Sequence, residues 1–383
     1  MIDRRTLLHS GLWLGSAAAF APRVALAAEH TEKRFLFVLQ RGAADGLDLL
    51  APLGDPELSG LRGPWMGDLE QRQALDGFFA LHPMLGTIGA MYAAGEAAFV
   101  HAAASSYRER SHFDAQNLIE SGGAKPYVQR DGWMNRLVGL MTPGSVRALA
   151  LAPSIPLALQ GPQPTSSYAP TRLRAASENY SERVGAMYAA DPLLSRLWDQ
   201  ALQTRAMAGD TQMRNLRDAE KAGALAASLM SGADGARIMM VESDGWDSHQ
   251  GQPNQIGGAV GRLDSFLSGY RAGMADSWTD TLVIVATEFG RTARINGTNG
   301  TDHGTASAAM LLGGAVRGGR VVADWPGLAS SSLLEGRDLM PTASLEAVIA
   351  GSAAEHFALD PQRAMATLFP GRQAAPMAGL VRG

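Results

Sequence analysis

Six short apolar runs recur along the chain: 35–39 (FLFVL), 97–101 (AAFVH), 146–151 (VRALAL), 236–241 (ARIMMV), 281–286 (TLVIVA) and 308–312 (AAMLL). Each has the length and the β-branched or aromatic content of a strand buried on both faces. Between them the spacing predicts helices over 112–120, 133–140, 256–270 and 345–352, and a long helical stretch rich in Ala, Leu, Met and Arg over 181–230. Strands apolar on both faces that alternate with helices predict an α/β fold, with a mostly parallel central sheet and helices on both faces. A Pro/Ser-rich connection over 153–171 leads into the 181–230 pattern. Together they read as a helical insertion, about 153–231, beside the sheet rather than as a separate domain.

In such sheets ligands bind beyond the carboxyl ends of the strands, and that is where the polar residues gather. After 35–39 comes QRGAADGLD, with Arg41, Asp45 and Asp48. After 97–101 comes SSYRERSHFDAQNLIESGG, with Arg110 and Ser111 where a helix begins and Glu120 near its end. After 236–241 comes ESDGWDSHQGQ, with Glu242, Asp244, Asp247 and His249, and after 281–286 come Glu288, Arg291, Asp302 and His303. Taken singly, most have an ordinary structural reading. Ser111 is placed to cap a helix, Asp45-Gly46 to make a turn, and Glu288 and Arg291 to form an ion pair. His82, before Pro83, reads as a turn histidine and His101 as a core one. Taken together, at four successive strand ends, they predict one polar site. Carboxylate plus imidazole without thiolate is the ligand set of zinc, manganese, magnesium or calcium. A serine at a helix start beside arginines suits an anionic substrate.

Composition narrows the possibilities. The 383 residues carry 46% hydrophobic and 18% charged side chains, with a formal net charge of −4, and no basic patch appears, so a nucleic-acid footprint is excluded. The absence of cysteine excludes disulfides, thiolate metal sites and cysteine catalysis. The start, MIDRRTLLHSGLWLGSAAAFAPRVALAAEH, pairs Arg4-Arg5 with a weakly apolar stretch and an Ala25-Leu26-Ala27 cleavage pattern. It reads as a twin-arginine export signal over 1–27, which implies the twin-arginine translocase as a transient partner, a periplasmic or extracytoplasmic destination and a mature domain over 28–383 with no stable membrane span.

The segments FLFVLQRGAADGLDLLAP, RSHFDAQNLIESG, DGWDSHQGQ and TEFGRTARINGTNGTDHGTASAAMLLGGAVRGGRV resemble the exported bacterial family called domain of unknown function 1501, in order and over nearly the whole mature chain. That family is placed with the alkaline phosphatase and sulfatase superfamily. The resemblance implies that fold. It also implies a metal-binding aspartate at Asp45, a nucleophile at Ser111, an aspartate–histidine pair from Asp244 or Asp247 with His249, and a last histidine at His303 with Asp302 beside it. Where the superfamily has a further aspartate–histidine pair, this chain has Glu288-Phe289, and phenylalanine holds no metal. No Cys/Ser-x-Pro-x-Arg motif follows Ser111, which sets aside the formylglycine mechanism.

The expectation is therefore an exported hydrolase of small anionic phosphate or sulfate esters. One or two divalent metals would be held by Asp45, Asp247, His249, Glu288, Asp302 and His303. Ser111 would be the nucleophile, and Arg110 or Arg291 would neutralise the non-bridging oxygens. The competing expectation is a non-catalytic exported binding or assembly protein, with a protein partner, that keeps the fold and one structural metal.

Overall fold

The computed structural model describes residues 31–383 apart from 143, 145, 171–177, 209–216 and 383, so the export signal expected over 1–27 lies outside the described residues. In chain order the strands are β1 (Arg34–Arg41), β2 (Leu50–Ala51), β3 (Gln73–Ala74), β4 (Ala80–Leu81), β5 (Ala97–Ala104), β6 (Ala148–Leu151), β7 (Thr165–Tyr168), β8 (Ile238–Asp244), β9 (Thr281–Thr287), β10 (Ser307–Leu312), β11 (Arg320–Val322) and β12 (Ala343–Ser344). The main sheet runs β11-β5-β10-β9-β1-β8-β6-β7, with β12 also on β5, while β2, β4 and β3 form a small antiparallel sheet. Only β10 runs antiparallel to its neighbours in the main sheet; every other pair is parallel.

Register explains why these runs are apolar throughout. Phe35 lies beside Ile238 and Leu282, and Leu36 beside Met239 and Val283. Alternate residues therefore face opposite sides. Phe35, Phe37, Ile238, Met240 and Ile284 enter one core. Leu36, Val38, Met239, Val241 and Val285 enter another. The first core is closed by α1 (Trp133–Leu140), α4 (Leu345–Phe357) and α5 (Pro361–Leu368), and Trp133 sits edge-on to Phe37 at 5.2 Å. The second is closed by α2 (Ala219–Met230) and α3 (Gly257–Met274), so helices cover both faces as the pattern predicts.

Within 153–231 the structure holds parallel strand β7 at the sheet edge, helices Glu178–Tyr188 and Pro192–Ala208, and α2, whose Leu225, Leu229 and Met230 are buried. The edge strand escaped the sequence reading because TSSY carries no apolar alternation.

The sheet also levels the loops that matter. Arg41 pairs with Asp244, and Gln40 pairs with both Ser243 and Thr287, so β1, β8 and β9 end together. Ser307 at the start of antiparallel β10 pairs with Ala103 near the end of β5. The loops after β1, β5 and β8, and the long one from β9 to β10, therefore emerge along one edge.

Helices α2 and α3 touch backbone to backbone. A Cβ on Gly223 would lie 1.9 Å from the Phe266 carbonyl oxygen, and one on Gly269 would lie 2.0 Å from that of Glu220. Gly223→Ala is expected to cost more than about 3 kcal/mol by forcing these helices apart. Gly67→Ala, where a Cβ meets nothing within 4 Å, should leave stability unchanged or raise it by up to about 1 kcal/mol. Denaturant unfolding of the two variants measures the contrast.

Candidate metal centre

The loop after β1 sets the foundation. Gly42 has φ 115°, and a Cβ there would lie 2.5 Å from the Asp247 amide nitrogen, so only glycine lets the two loops touch. Its own N–H donates to Glu288 Oε1 at 2.8 Å. Three residues on, Asp45 caps the turn at Gly46–Leu49 and enters a buried network. Arg62 donates to both its oxygens, at 2.7 and 3.2 Å, and Gln252 donates to Oδ2 at 2.7 Å. The amide oxygen of Gln252 accepts from Ser248 at 2.9 Å and Thr301 at 2.6 Å. Ser248 lies between Asp247 and His249, and Thr301 directly precedes Asp302 and His303. Asp45 thus stands beneath the site as a pillar, its carboxylate taken up by Arg62 and Gln252.

Arg291 is fully buried and ties the loops above that pillar. Nε donates to the Ala43 carbonyl at 3.0 Å, Nη1 to that of Thr301 at 3.3 Å, and Nη2 to Asp247 Oδ1 at 2.7 Å. Arg110 has φ 58°, a conformation that non-glycine residues rarely hold. Its guanidinium is bound to Asp338 at 2.8–2.9 Å and to Glu335 at 2.8 Å.

Three imidazoles meet above this base. His112, the first residue of helix His112–Ser121, places Nε2 2.9 Å from His303 Nε2. His249 places Nε2 3.0 Å from the same atom. Asp247 lies among them: Oδ1 is 3.0 Å from His249 Nε2 and 3.4 Å from His303 Nε2, and Oδ2 is 3.6 Å from His112 Nε2. The ring of His112 stacks on Phe289, with centroids 4.9 Å apart, and Phe289 also lies against His303 at 5.2 Å.

The far nitrogens decide the protonation. His112 Nδ1 faces Glu288 Oε1 at 2.8 Å, His303 Nδ1 faces the Arg110 carbonyl at 3.0 Å, and His249 Nδ1 faces Asp302 Oδ1 at 3.4 Å. A carbonyl and an ionised carboxylate can only accept, so each Nδ1 donates outward and each Nε2 is turned toward the centre of the cluster. Burial pushes the Glu288 carboxyl up, but donation from His112, Gln116 and Gly42 outweighs it and holds the group below the usual carboxylate range. Asp302 is held low chiefly by Asn296. Burial also pushes the Asp247 carboxyl up, and the Arg291 guanidinium with His249 more than reverses it. Burial, then His112 and Arg291, keep the His303 imidazole below its ordinary value.

Three imidazole nitrogens and a carboxylate therefore crowd together, an arrangement that a divalent cation between them would satisfy. Ligands about 2.0 Å from a tetrahedral ion sit about 3.3 Å apart, close to the separations seen. Glu288 and Asp302 stand behind the cluster, facing Nδ1 of His112 and of His249. Among the described residues, His112, Asp247 and His303 form a group of side chains close enough to share an ion, and His249 abuts it.

Of the residues singled out in the sequence, Asp247, His249 and His303 converge, and Asp247 rather than the exposed Asp244 joins them. Glu288 and Asp302 touch the cluster through histidines, and Arg291 through Asp247. Ser111 occupies the helix N-cap without making a capping side-chain hydrogen bond. It lies between Arg110, whose carbonyl meets His303, and His112. Sequence reasoning passed over His112 itself. The signal was present in RSHF, one position beyond the serine that drew attention.

The chain belongs to the family described as protein of unknown function (DUF1501), which matches residues 61–369. No curated protein matches the chain. Among solved structures it is similar to the lipoteichoic acid synthase LtaP from Listeria monocytogenes, at 10% identity and a TM-score of 0.32, covering 69% of this chain and 57% of that one. It is also similar to alkaline phosphatase from the Antarctic bacterium TAB5, at 12% identity and a TM-score of 0.34, covering 73% of this chain and 90% of that one.

Gln252→Leu keeps volume but removes a hydrogen-bond partner from Asp45, Asp48, Ser248 and Thr301. It is expected to destabilise the protein by about 2–4 kcal/mol, because several buried polar groups lose a partner at once. A urea titration beside the wild type gives the figure.

Proposed function

We propose that this protein is an exported metal-dependent hydrolase of phosphate or sulfate esters. The observation that carries the reading is the convergence of three imidazole Nε2 atoms on Asp247, beyond the ends of the central strands. His112, Asp247, His249 and His303 hold the metal. Three nitrogen donors suit zinc, or another borderline transition ion, better than calcium or magnesium. Such an ion supplies Lewis acidity and lowers the pKa of a hydroxyl beside it.

Ser111 is the nucleophile in this reading. Its hydroxyl does not serve as a helix cap, and its neighbours on both sides touch the cluster. Ser111 Oγ bonds to phosphorus or sulfur while the bond to the ester oxygen breaks and the alcohol leaves with a proton. Water then releases phosphate or sulfate and restores the serine. Phe289 walls one side of the site and keeps it apolar, while Asp247 and His249 have side chains 47% and 46% exposed. That openness suits a catalytic site better than a sealed structural one.

One observation favours the non-catalytic alternative, an exported binding or assembly protein with a structural metal. Arg110 and Arg291, the cations expected to meet an anionic ester, spend their guanidinium groups on Asp338, Glu335 and Asp247. Turnover separates the two readings.

Elemental analysis of the mature protein is expected to give about one equivalent of divalent metal, lost in His112→Ala and His249→Ala; full occupancy in either variant removes that residue from the ligand set. Glu288→Gln should weaken metal binding roughly 10–100-fold by loosening His112. Ser111→Ala should retain metal and lose turnover of aryl phosphates and sulfates by more than about 1,000-fold. Replacing Arg4 and Arg5 with lysines should trap the precursor in the cytoplasm, read by fractionation, and normal export would rule out the twin-arginine route.

A further inference from the structure

With Arg110 and Arg291 committed to internal carboxylates, recognition of a charged substrate needs other cations. Two guanidinium groups, Arg294 and Arg337, line a cavity of about 360 Å³ that adjoins the histidine cluster. Three contacts establish the adjacency. Asp302, on the cavity wall, meets His249 Nδ1; Asn296, also on the wall, donates to the His249 carbonyl at 2.9 Å; and Arg337 donates to the His303 carbonyl at 2.8 Å. Arg337 also pairs with Asp338 at 3.2 Å. Arg294 is exposed, makes no ion pair among the described residues and is steadied by one bond from Nη1 to the Gly60 carbonyl at 3.0 Å. Its other guanidinium donors have no hydrogen bond among the described residues. Leu61 and Leu333 give the lining an apolar surface. Of the two acids on the wall, Asp302 is engaged by Asn296 and His249, and Glu57 is exposed.

We infer that this cavity receives the alcohol portion of the ester, and that the alcohol carries a second anionic group, a carboxylate or a phosphate, bound by Arg294. The inference rests on the hydrolase reading for which end of the substrate meets the metal. The volume suits a small organic group, in the lower part of the range of about 300–1,000 Å³ for small-molecule sites. The planar guanidinium fork matches carboxylate and phosphate oxygens two at a time. The apolar leucines take the carbon skeleton between the two charges.

Non-hydrolysable probes test it on the metal-loaded mature protein by calorimetry: phenylphosphonate, 4-carboxyphenylphosphonate and benzene-1,4-diphosphonate, each with wild type and Arg294→Gln. The doubly anionic probes are expected to bind the wild type about tenfold tighter than phenylphosphonate, and Arg294→Gln should erase that advantage while leaving phenylphosphonate affinity unchanged. Whichever of the two gains more identifies carboxylate or phosphate as the second anion. Equal binding of all three probes, binding of none, or an advantage that survives Arg294→Gln overturns the inference. An advantage that depends on Arg294, in a protein that turns over no ester, keeps the cavity assignment and removes the hydrolase.

Discussion

One buried guanidinium holds the working edge of this protein together. Arg291 donates to the backbone after β1, to Asp247 after β8 and to Thr301 in the loop from β9 to β10. A charge taken so far from water is tolerable only when its donors find acceptors, and here those acceptors are the loops themselves. The geometry of the histidines inherits its precision from that requirement. Asp247 stands where Arg291 puts it, and Asp247 is the atom group around which the three rings are arranged.

Beneath it, a second layer works by the same logic without exposing any of its members. Arg62, Asp45 and Gln252 are all buried, and the Gln252 side chain spans from the turn after β1 to the loops that carry His249 and His303. The cluster above gathers imidazole nitrogens and negative charge in one place, which is unfavourable in itself. Rigid support from below keeps that arrangement from relaxing. A cation that binds it recovers the electrostatic cost and stabilises the folded state in proportion to its concentration over its dissociation constant.

Much of this was legible in the sequence, and for definite reasons. Strands buried on both faces must be apolar throughout, so β1, β8 and β9 stood out, and their ends named the loops. His249, Asp247 and His303 were then visible because imidazoles and carboxylates at successive strand ends add up to one polar site. Finer roles were not legible. Asp45 and Asp247 look alike as residues that follow strands. Only the position of Arg62, sixteen residues beyond Gly46 and brought back by the fold, makes the first a support and leaves the second open. Sequence could not place Glu288 and Asp302 opposite the far nitrogens of His112 and His249, where the fold sets them. His112 was hidden behind Ser111, whose type promised chemistry more loudly.

The position of β1 in the sheet has a kinetic consequence. Its partners on either side begin at residues 238 and 281, so the first strand made is completed by strands some two hundred residues later. Such distant pairings form slowly. The histidines come from residues 112, 249 and 303, and the arginine that aligns Asp247 from residue 291, so no partial chain can display the cluster. The histidine cluster is therefore assembled only once the polypeptide is essentially whole.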